Sequence, residues 1–375
     1  MTSASHSSAA AEPFEGLRIR GVAKTFGTDT TVLNEIDLDV HPGELISLVG
    51  SSGTGKSTLL RIIAGLEEPS AGRVTYAGQP LERGSVGVVF QRPILYPHLS
   101  VKDNILFPTR LGAFAGRVDM DYYRELLEAL KLEGLESRKP SQLSGGQAQR
   151  VGIARALIRR APVVLFDEPL ASVDEEMSAS IRADIVRLHE RYGFTGLYVT
   201  HDQNEALMLG QRVAVMDAGY LVQVDTPERL LAHPHTLQVA KLLAAPALNL
   251  VALEDSEFLP AGCELAIRAT ALCPVAADAA HSLPVQVLGS RHLVGGMLYR
   301  ARLLEAVSLP LESRRASADS ELNARMYARV RAGQELEFFI PDAQGGTSLS
   351  VGDRVHLGVA AERCFLFSEG KRFYL

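Results

Sequence analysis

The sequence predicts an α/β fold with a substantial parallel sheet, followed by a small all-β domain. Up to about residue 246, short β-branched runs alternate with helical stretches, which is typical of an α/β sheet. Beyond Leu248 the rhythm changes, and short strands recur between Gly and Pro turns. The chain has 375 residues, more than a typical single domain contains, which favours two folded parts.

Each region contains several candidate elements. In the first region we expect strands at residues 44–49, 85–90, 163–166, 196–200 and 212–216, and helices at residues 56–64, 120–132, 146–159 and 178–191. In the second region we expect strands at residues 264–268, 283–288, 334–340 and 354–359. The polar stretch 311–325 is expected to be a loop or a short surface helix.

Composition and charge argue against several classes of protein. Apolar residues make up 46% and charged residues 22%, as in globular proteins, and the net charge is −6. An acidic chain is not expected to bind nucleic acid, because nucleic-acid binders usually carry a basic surplus on one face. No run reaches the roughly 18 apolar residues of a membrane span, so we expect membrane association through partners. Residues 1–14 are expected to be a disordered tail, and three cysteines without metal-site spacing indicate a reduced, cytoplasmic location.

A glycine-rich loop lies between the first strand candidate and the first helix candidate. It fits the pattern G-x-x-x-x-G-K-[ST] of a phosphate-binding loop, or P-loop. Glycines let the backbone wrap around phosphates, and the helix N-terminus that follows favours negative charge. Lys56 can reach the β- and γ-phosphates of ATP, and the Ser57 hydroxyl can hold Mg²⁺. The candidate nucleotide-binding residues here are Gly50, Ser51, Ser52, Gly53, Thr54, Gly55, Lys56, Ser57 and Thr58.

A second motif is an apolar strand that ends in two carboxylates, Asp167 and Glu168. Asp167 is suited to hold Mg²⁺, usually through its water shell, and Glu168 to orient and polarise an attacking water. Acidic strand ends are also common without any catalytic role. The P-loop upstream favours the catalytic interpretation.

A third motif, Leu-Ser-Gly-Gly-Gln-Ala-Gln-Arg at residues 143–150, matches the signature sequence of the ATP-binding-cassette (ABC) family. On these residues the chain resembles the ATPases of that family. The resemblance implies that a helix begins at this motif and that its first residues form a second phosphate cradle. The residues concerned are Ser144, Gly145, Gly146 and Gln147.

Further residues take their expected roles from this resemblance. Gln91 matches the glutamine that senses the γ-phosphate and approaches Mg²⁺, and His201 matches the switch histidine. Asp174 matches the D-loop aspartate, which links the two sites of a dimer, although Val173 stands where the family usually has Leu. Phe26 lies where the family places an aromatic ring that stacks on adenine. The catalytic candidates are thus Glu168, His201 and Gln91, and the metal candidates are Ser57, Gln91 and Asp167.

Residues 91–99 resemble the segment through which importer ATPases of the family contact their permeases, and residues 200–206 and 245–249 resemble the sugar-type importer subgroup. This resemblance implies an ATPase domain at residues 15–246 with a helical subdomain. It also implies an OB-like regulatory domain at residues 247–375, with landmarks at 288–290, 351–353 and 361–367. Some positions depart from the subgroup: Ala245 precedes Pro246 without the usual Gly-Ser, Leu248 replaces Met, and Ala269 follows Arg268 where Pro-Glu is frequent.

The resemblance also implies the partners. Two copies of the chain pack head to tail, and each ATP lies between one P-loop and the opposite signature. Two transmembrane permease subunits contact the dimer near residues 96–99, and a solute-binding protein acts indirectly. The expected location is peripheral, on the cytoplasmic face of the inner membrane. The expected solute is a sugar, polyol or glycerol phosphate, with polyamine, ferric iron or another anion as alternatives.

Two other functions share the cassette motifs. An exporter ATPase is an alternative, but the β-rich second domain favours an importer. A non-transport ABC ATPase of the repair or chromosome-associated kind is a different class. It would need long heptad segments or a basic DNA-binding face, and the sequence contains neither.

Overall fold

The computed structural model describes residues 14–110, 118–254, 259, 262–311, 326–342, 348–359 and 363–373. The chain divides into two compact units, Met1–Pro227 and Glu228–Leu375. Three expectations fall outside the described residues: nearly all of the tail, the stretch 312–325, and the part of the last landmark at 361–362. Among the described helices, none is both long enough and apolar enough to cross a membrane.

The first unit alternates strands and helices, and the elements expected from the sequence are confirmed to within a few residues. Its strands are β1 (Leu17–Phe26), β2 (Thr30–Val40), β3 (Leu45–Val49), β4 (Ala71–Tyr76), β5 (Gln79–Pro80), β6 (Gly87–Val89), β7 (Val163–Asp167), β8 (Thr195–Thr200), β9 (Arg212–Asp217) and β10 (Tyr220–Asp225). Its helices are α1 (Lys56–Ile63), α2 (Val101–Leu106), α3 (Met120–Ala129), α4 (Gly145–Leu157), α5 (Glu175–Tyr192) and α6 (Gln203–Leu209), with 3-10 turns at Phe107–Arg110 and Pro140–Gln142.

The central sheet of this unit has the strand order β10-β9-β3-β8-β7-β6. Strands β9, β3, β8, β7 and β6 are parallel, and β10 pairs antiparallel with β9. Parallel neighbours must be joined by crossovers, which explains the alternation of strands and helices in the sequence. The carboxyl ends of five strands therefore meet at one edge of the sheet.

Both faces of the central sheet are covered, as the continuous apolar runs of its strands require. Within β7, Val163 and Leu165 face a core shared with α1, β1 and β2. Val164 and Phe166 face a second core built with α2, α3, α4 and α5. The alternation follows from the period of two in a strand, and it places α1 with β1 and β2 on one face and α2, α3, α4 and α5 on the other.

A second sheet, β2-β1-β4-β5, is antiparallel and was missing from the candidates. Its strands carry a weaker signal, because β1 is interrupted by register shifts and by Gly21, which has a positive φ. The alternation of Ile36, Leu38 and Val40 in β2, all buried, is the pattern that could have revealed it.

The second unit is strand-rich and consistent with an OB-like domain. Its strands are β11 (Leu248–Ala252), β12 (Glu264–Arg268), β13 (Leu272–Val275), β14 (Leu283–Leu293), β15 (Gly296–Leu303), β16 (Val307–Leu311), β17 (Met326–Val330), β18 (Glu335–Pro341), β19 (Arg354–Val359), β20 (Cys364–Ser368) and β21 (Lys371–Arg372), with a 3-10 turn at Ala269–Ala271. They form the antiparallel sheets β11-β12-β20-β21, β13-β19-β14-β15-β18 and β16-β17. Asn249 joins two of these sheets, since its amide donates to Ile267 O at 3.1 Å and to Glu337 O at 2.8 Å.

The boundary between the units lies at Pro227, earlier than the residue 246 expected from the sequence. The helices α7 (Pro227–Ala232) and α8 (Leu237–Leu242) explain the difference. In α8, Leu237 and Ala240 pack against Phe365 and Phe367 of β20. From the sequence alone, α8 continues the alternation of strands and helices of the first unit. In the structure its apolar face is buried within the second unit.

Candidate nucleotide-binding site

Four of the sequence motifs emerge at the carboxyl edge of the central sheet. In the register of β3 and β8, Val49 pairs with Thr200, so the P-loop and His201 leave the sheet side by side. In β7 and β8, Asp167 pairs with Val199, which brings Asp167 and Glu168 to the same edge. Ligands bind at the carboxyl ends of strands in open α/β sheets, so this edge is the candidate site.

The P-loop connects β3 to α1, and its last glycine is required by geometry. Gly55 has φ +98° and is the N-cap of α1. A Cβ at this position would also lie 2.7 Å from Val32 O and 2.7 Å from a methyl carbon of Leu33, both in β2. Only glycine combines this dihedral angle with this close approach. In the same loop, the Thr54 hydroxyl donates to Ser51 O at 2.9 Å, and Ser51, Ser52 and Gly53 are exposed.

Lys56 is buried at the start of α1, with 5% of its surface exposed. Its ammonium group donates to Gly50 O at 2.7 Å and to Ser51 O at 2.9 Å, so the side chain folds back over the loop. Burial lowers the pKa of Lys56, and the negative charges of Glu168 and Asp167 oppose this effect. A positive charge is thus held inside the loop, where an anion could replace the two backbone carbonyls as its partners.

Ser57 and Asp167 are in contact although they are far apart in sequence. The Ser57 hydroxyl donates to Asp167 Oδ1 at 3.2 Å. Burial raises the pKa of Asp167, the Ser57 hydrogen bond lowers it, and Glu168 raises it further. The hydroxyl and the carboxylate are hard oxygen donors, which is the ligand chemistry that Mg²⁺ prefers.

Glu168 and His201 form a second pair at this edge. His201 Nδ1 lies 3.0 Å from Glu168 Oε2, within hydrogen-bond distance. Glu168 has φ +45°, an uncommon value for a residue other than glycine, and its amide donates to Val199 O at 2.9 Å. Such a backbone conformation is strained for a residue other than glycine, and strain of this kind is common at functional sites.

Gln91 emerges at the same edge but makes no hydrogen bond to the other candidates, all of which the structure describes. Val89 pairs with Phe166, so Gln91 and Glu168 each follow a paired residue by two positions. The Gln91 side chain is exposed, and within the described part of the chain it makes no hydrogen bond. The sequence thus predicted that Gln91 lies at this edge of the sheet. In the structure, however, Gln91 is not hydrogen-bonded to the other two metal candidates, Ser57 and Asp167.

Two residues of α4 anchor the loop that begins at Gln91. The Gln149 amide donates to Phe90 O at 3.2 Å, and Arg155 donates to Ile94 O at 2.6 Å. Neither residue was a candidate, although Gln149 lies within the signature segment. The loop 91–99 therefore rests on the helix that carries the signature.

The signature residues form the N-terminus of α4. Ser144 is the N-cap: its hydroxyl accepts from Gln147 N at 3.2 Å, while the Gln147 side chain accepts from Ser144 N at 3.0 Å. This capping box fixes the start of the helix. Gly145 has open space around its Cβ position, whereas a Cβ on Gly146 would lie 2.6 Å from the Met177 side chain.

Ser144 lies well apart from the P-loop of its own chain. Helix α4 runs antiparallel to β6, because Ala156 lies against Gly87 and Gln149 against Phe90. Five residues of helix carry Ser144 about 7 Å beyond Phe90. Since β3 and β6 are separated by β8 and β7, a further lateral distance of about 14 Å lies between the two motifs. The structure therefore does not bring the signature together with the P-loop.

Asp174 and Phe26 occupy separate positions around the site. Asp174 is the N-cap of α5 and accepts from Met177 N at 2.9 Å. Phe26 lies at the tip of the β1–β2 hairpin and is 43% exposed, with the Lys24 ammonium 4.9 Å from its ring centroid. Val32 of the same hairpin backs the P-loop at Gly55. The ring is therefore available for stacking near the loop.

Glu205 was not a candidate, although it shapes the strand end that carries His201. It is buried and accepts from the Thr200 hydroxyl at 2.8 Å and from the Tyr198 hydroxyl at 3.2 Å. The Thr200 hydroxyl also accepts from Asp202 N at 3.0 Å. These bonds hold the chain on both sides of His201. Because Glu205 lies within α6, no signal in the local sequence indicated this role.

The fold and the site define a P-loop nucleotide-binding cassette with a separate β-rich unit. Residues 33–171 match the family model described as ABC transporter. The chain is 45% identical over 241 residues to the sn-glycerol-3-phosphate import ATP-binding protein UgpC 1 of Rhizobium johnstonii, covering 63% of this chain and 65% of that protein, slightly under two thirds. It is 42% identical over 266 residues to UgpC of Salmonella typhi, covering 68% and 74%.

Solved structures agree with these relatives. CbiO1 from Clostridium perfringens, part of an ABC transporter complex, matches with a TM-score of 0.53 and 27% identity, covering 59% of this chain and 92% of that one. A dimeric ATP-binding cassette bound to ADP and Pi matches with a TM-score of 0.50 and 32% identity, covering 56% and 98%. The chain belongs to the ATP-binding-cassette family of transporter ATPases.

Proposed function

We propose that this chain is the ATP-hydrolysing subunit of an importer whose membrane-spanning parts are separate chains. The observation that carries the proposal is the meeting of Lys56, Ser57, Asp167 and Glu168 at one edge of the sheet. The importer assignment draws support from the relatives, whose names describe import ATP-binding proteins. The β-rich second unit also favours an importer over an exporter or a non-transport ATPase.

ATP binding is assigned to the P-loop. Residues 50–58 surround the phosphates with backbone N–H groups, and Lys56 exchanges its two carbonyl partners for β- and γ-phosphate oxygens. Phe26 stacks on the adenine from the hairpin that backs Gly55. The geometry explains why Lys56 is buried: the cation is preorganised for an anionic ligand.

The residues at the edge fit a magnesium ion. Ser57 and Asp167 would hold it, with Gln91 joining when its loop moves towards them. When bound, Mg²⁺ neutralises charge on the phosphates. Glu168 orients and polarises the attacking water, and His201 positions the Glu168 carboxylate through their hydrogen bond.

A complete site needs two copies of the chain. The lateral separation of about 14 Å between β3 and β6 leaves Ser144 too far from its own P-loop to share one nucleotide. In a head-to-tail dimer, Ser144, Gly145, Gly146 and Gln147 approach the γ-phosphate held by the opposite P-loop, and Asp174 lies between the two sites. ATP then joins the two chains, and hydrolysis loosens them.

The remaining assignments concern partners and solute. The loop 91–99, anchored on α4 by Gln149 and Arg155, contacts the permease subunits, which couples nucleotide state to transport. Glycerol phosphate is the first solute to test, followed by sugars and polyols, with polyamine, ferric iron or another anion as alternatives. The subunit lies at the cytoplasmic face of the membrane. The first unit, Met1–Pro227, carries ATP hydrolysis, and the second unit, Glu228–Leu375, regulates transport.

Dimerisation gives the direct test of this mechanism. Glu168→Gln should bind ATP without hydrolysing it, so the chain should shift from monomer to dimer with ATP and stay monomeric with ADP. Adding Ser144→Arg should abolish the dimer and preserve ATP binding by the monomer. Size-exclusion chromatography with light scattering, at high protein and ATP concentrations, measures both. Equal dimerisation with ADP, or a dimer that survives Ser144→Arg, would contradict the composite site.

Uptake tests the importer assignment. Cells that express the chain with its neighbouring permease and binding-protein genes should take up labelled sn-glycerol 3-phosphate. Cells with Lys56→Ala in place of the native chain serve as the matched control and should show background uptake. Labelled maltose, glycerol, putrescine and ferric citrate test the other solutes. ATPase activity in solution without uptake of any of these would reject the solute assignment alone.

A further inference from the structure

A buried carboxylate in the middle of α5 lies outside all of the motifs. Asp184 has 0% of its side chain exposed, yet it faces three cations. Arg150 Nη2 of α4 lies 3.0 Å from Asp184 Oδ2, and Lys131 Nζ lies 3.7 Å from Oδ1. Arg187, one turn further along α5, also contacts Oδ1.

A hydroxyl group extends this cluster. Ser180 Oγ accepts from Arg150 Nη2 at 2.9 Å and from Lys131 Nζ at 3.3 Å. The Arg150 side chain is only 9% exposed, so its charge is shielded from solvent. One helical turn separates Ser180 from Asp184, and both groups therefore meet Arg150 from the same face of α5.

The two helices joined here begin at two of the candidate motifs. Helix α4 begins at Ser144 and helix α5 at Asp174. Near those ends the helices approach closely, because a Cβ on Gly146 would lie 2.6 Å from the Met177 side chain. The charged contact at Arg150 lies six residues into α4, about 9 Å from its start. It is therefore placed to set the direction of α4 relative to α5.

A gain in the free energy of unfolding does not account for the buried ion pair between Asp184 and Arg150. A buried ion pair usually contributes little to folding, because desolvation offsets the attraction, and apolar residues can replace it. An ion pair differs from apolar packing in that it admits one orientation of its partners. Without Asp184, Arg150 would be a buried cation with two further cations nearby.

We propose that Asp184 is a positioning residue that holds α4 at a fixed angle to α5 and so places the Ser144 end for the opposite nucleotide. The placing of Ser144 for the opposite nucleotide rests on the composite site proposed above. The fixed angle between α4 and α5 does not, because it concerns only the two helices of one chain. An experiment can therefore separate them.

The test compares Asp184→Asn, which removes the charge and keeps the size, with Asp121→Asn on α3. Asp121 is 88% exposed and pairs with Arg124, so it is a matched control outside the cluster. In the nucleotide-free chain, Asp184→Asn should speed hydrogen exchange at the amides of Gln147 and Ala148 about tenfold, because the first turn of α4 opens more often. Asp121→Asn should leave exchange there unchanged.

Function is measured in the Glu168→Gln background. Asp184→Asn should weaken the ATP-dependent dimer about tenfold, while ATP binding by the monomer changes by less than about twofold, because the P-loop is untouched. Equal losses in both measurements would indicate a general structural role and overturn the proposal. Unchanged exchange at Gln147 and Ala148 would overturn it as well.

A milder variant covers the case in which Asp184→Asn does not fold. Ser180→Ala removes the hydroxyl that Arg150 and Lys131 share but keeps every charge. It should speed exchange at Gln147 and Ala148 about threefold, and unchanged exchange overturns the proposal. If Glu168→Gln alone fails to dimerise with ATP, the composite site is wrong, and hydrogen exchange still decides the positioning role.

Discussion

The Ser57 hydroxyl donates a hydrogen bond to Asp167 Oδ1 at 3.2 Å, which joins the first turn of α1 to the end of β7. Burial is the largest influence on this carboxylate and raises its pKa, despite the hydrogen bond and the nearby cations Arg61 and Lys56. The surroundings of Asp167 in the folded chain therefore disfavour its ionised form. A bound cation would relieve that cost.

Asp167→Asn should consequently stabilise the nucleotide-free chain and abolish Mg²⁺-dependent ATP hydrolysis. Asn keeps an oxygen that can accept from Ser57 but removes the disfavoured charge. Thermal unfolding without nucleotide should show a higher midpoint than wild type, and an ATPase assay should show background activity. Asp121→Asn, at an exposed surface pair, should change neither. A lower unfolding midpoint in Asp167→Asn would contradict the inferred cost of the charge.

The pH dependence of this stabilisation follows from the direction of the pKa shift. The folded-state pKa of Asp167 is raised above its usual value of 3.8, so the folded chain takes up this proton at a higher pH than the unfolded chain. The ionised carboxylate lowers the free energy of unfolding by its full amount above the folded-state pKa. This destabilisation disappears as the pH falls through the folded-state pKa towards that of the unfolded chain. The difference in midpoint between Asp167→Asn and wild type should therefore shrink on acidification towards pH 4. A difference that grows in acid would contradict the sign.

Replacing Lys56 and Phe26 in turn should separate the contribution of phosphate recognition to ATP binding from that of adenine stacking. Lys56→Ala should abolish hydrolysis and weaken ATP binding by about 2 kcal/mol or more, the scale of hydrogen bonds to charged groups. Phe26→Ala should weaken binding of ATP and ADP alike, by about 1 kcal/mol, because both share the adenine. Calorimetric titration measures each. Unchanged ATP affinity in Lys56→Ala would remove the basis of the P-loop assignment.

The sequence predicted those parts of the site in which the chemistry requires particular residue types at fixed spacings along the chain. The P-loop needs glycine at Gly55 for its dihedral angle and its approach to Val32, so the motif is visible as a fixed spacing. Asp167 and Glu168 follow a continuous apolar strand and were equally visible. That these residues meet in space followed only from the parallel register.

Other features could not be read from local sequence because distant residues determine them. Glu205 is a helix residue in sequence, and its role depends on hydroxyl groups of Tyr198 and Thr200 in the preceding strand. Helix α8 continues the helical rhythm, but the side chains of β20 decide to which unit it belongs. Whether Gln91 hydrogen-bonds to Ser57 depends on the path of the loop that begins at Gln91.

Glu205→Gln should slow hydrolysis while leaving ATP binding nearly intact. Glu205 touches no candidate nucleotide-binding residue directly, and it acts by holding Thr200 and the backbone of Asp202 around His201. Steady-state assays should show kcat reduced about tenfold or more with KM changed by less than about threefold. Combined with His201→Ala, the loss should be less than additive, because both changes act through one side chain. Fully additive losses would indicate that Glu205 acts independently of His201.

The unit boundary at Pro227 leads to a prediction about truncation. We expect chains ending at residue 227 and at residue 246 both to fold and bind ATP, since every candidate nucleotide-binding residue precedes Pro227. The longer chain retains α8 but lacks Phe365 and Phe367, so the apolar side chains of Leu237 and Ala240 lose their cover. It should therefore associate at concentrations where the shorter chain remains monomeric. Sedimentation velocity without nucleotide measures association, and calorimetry measures ATP affinity. A shorter chain that is soluble and folded but binds no ATP would contradict the division of functions between the units.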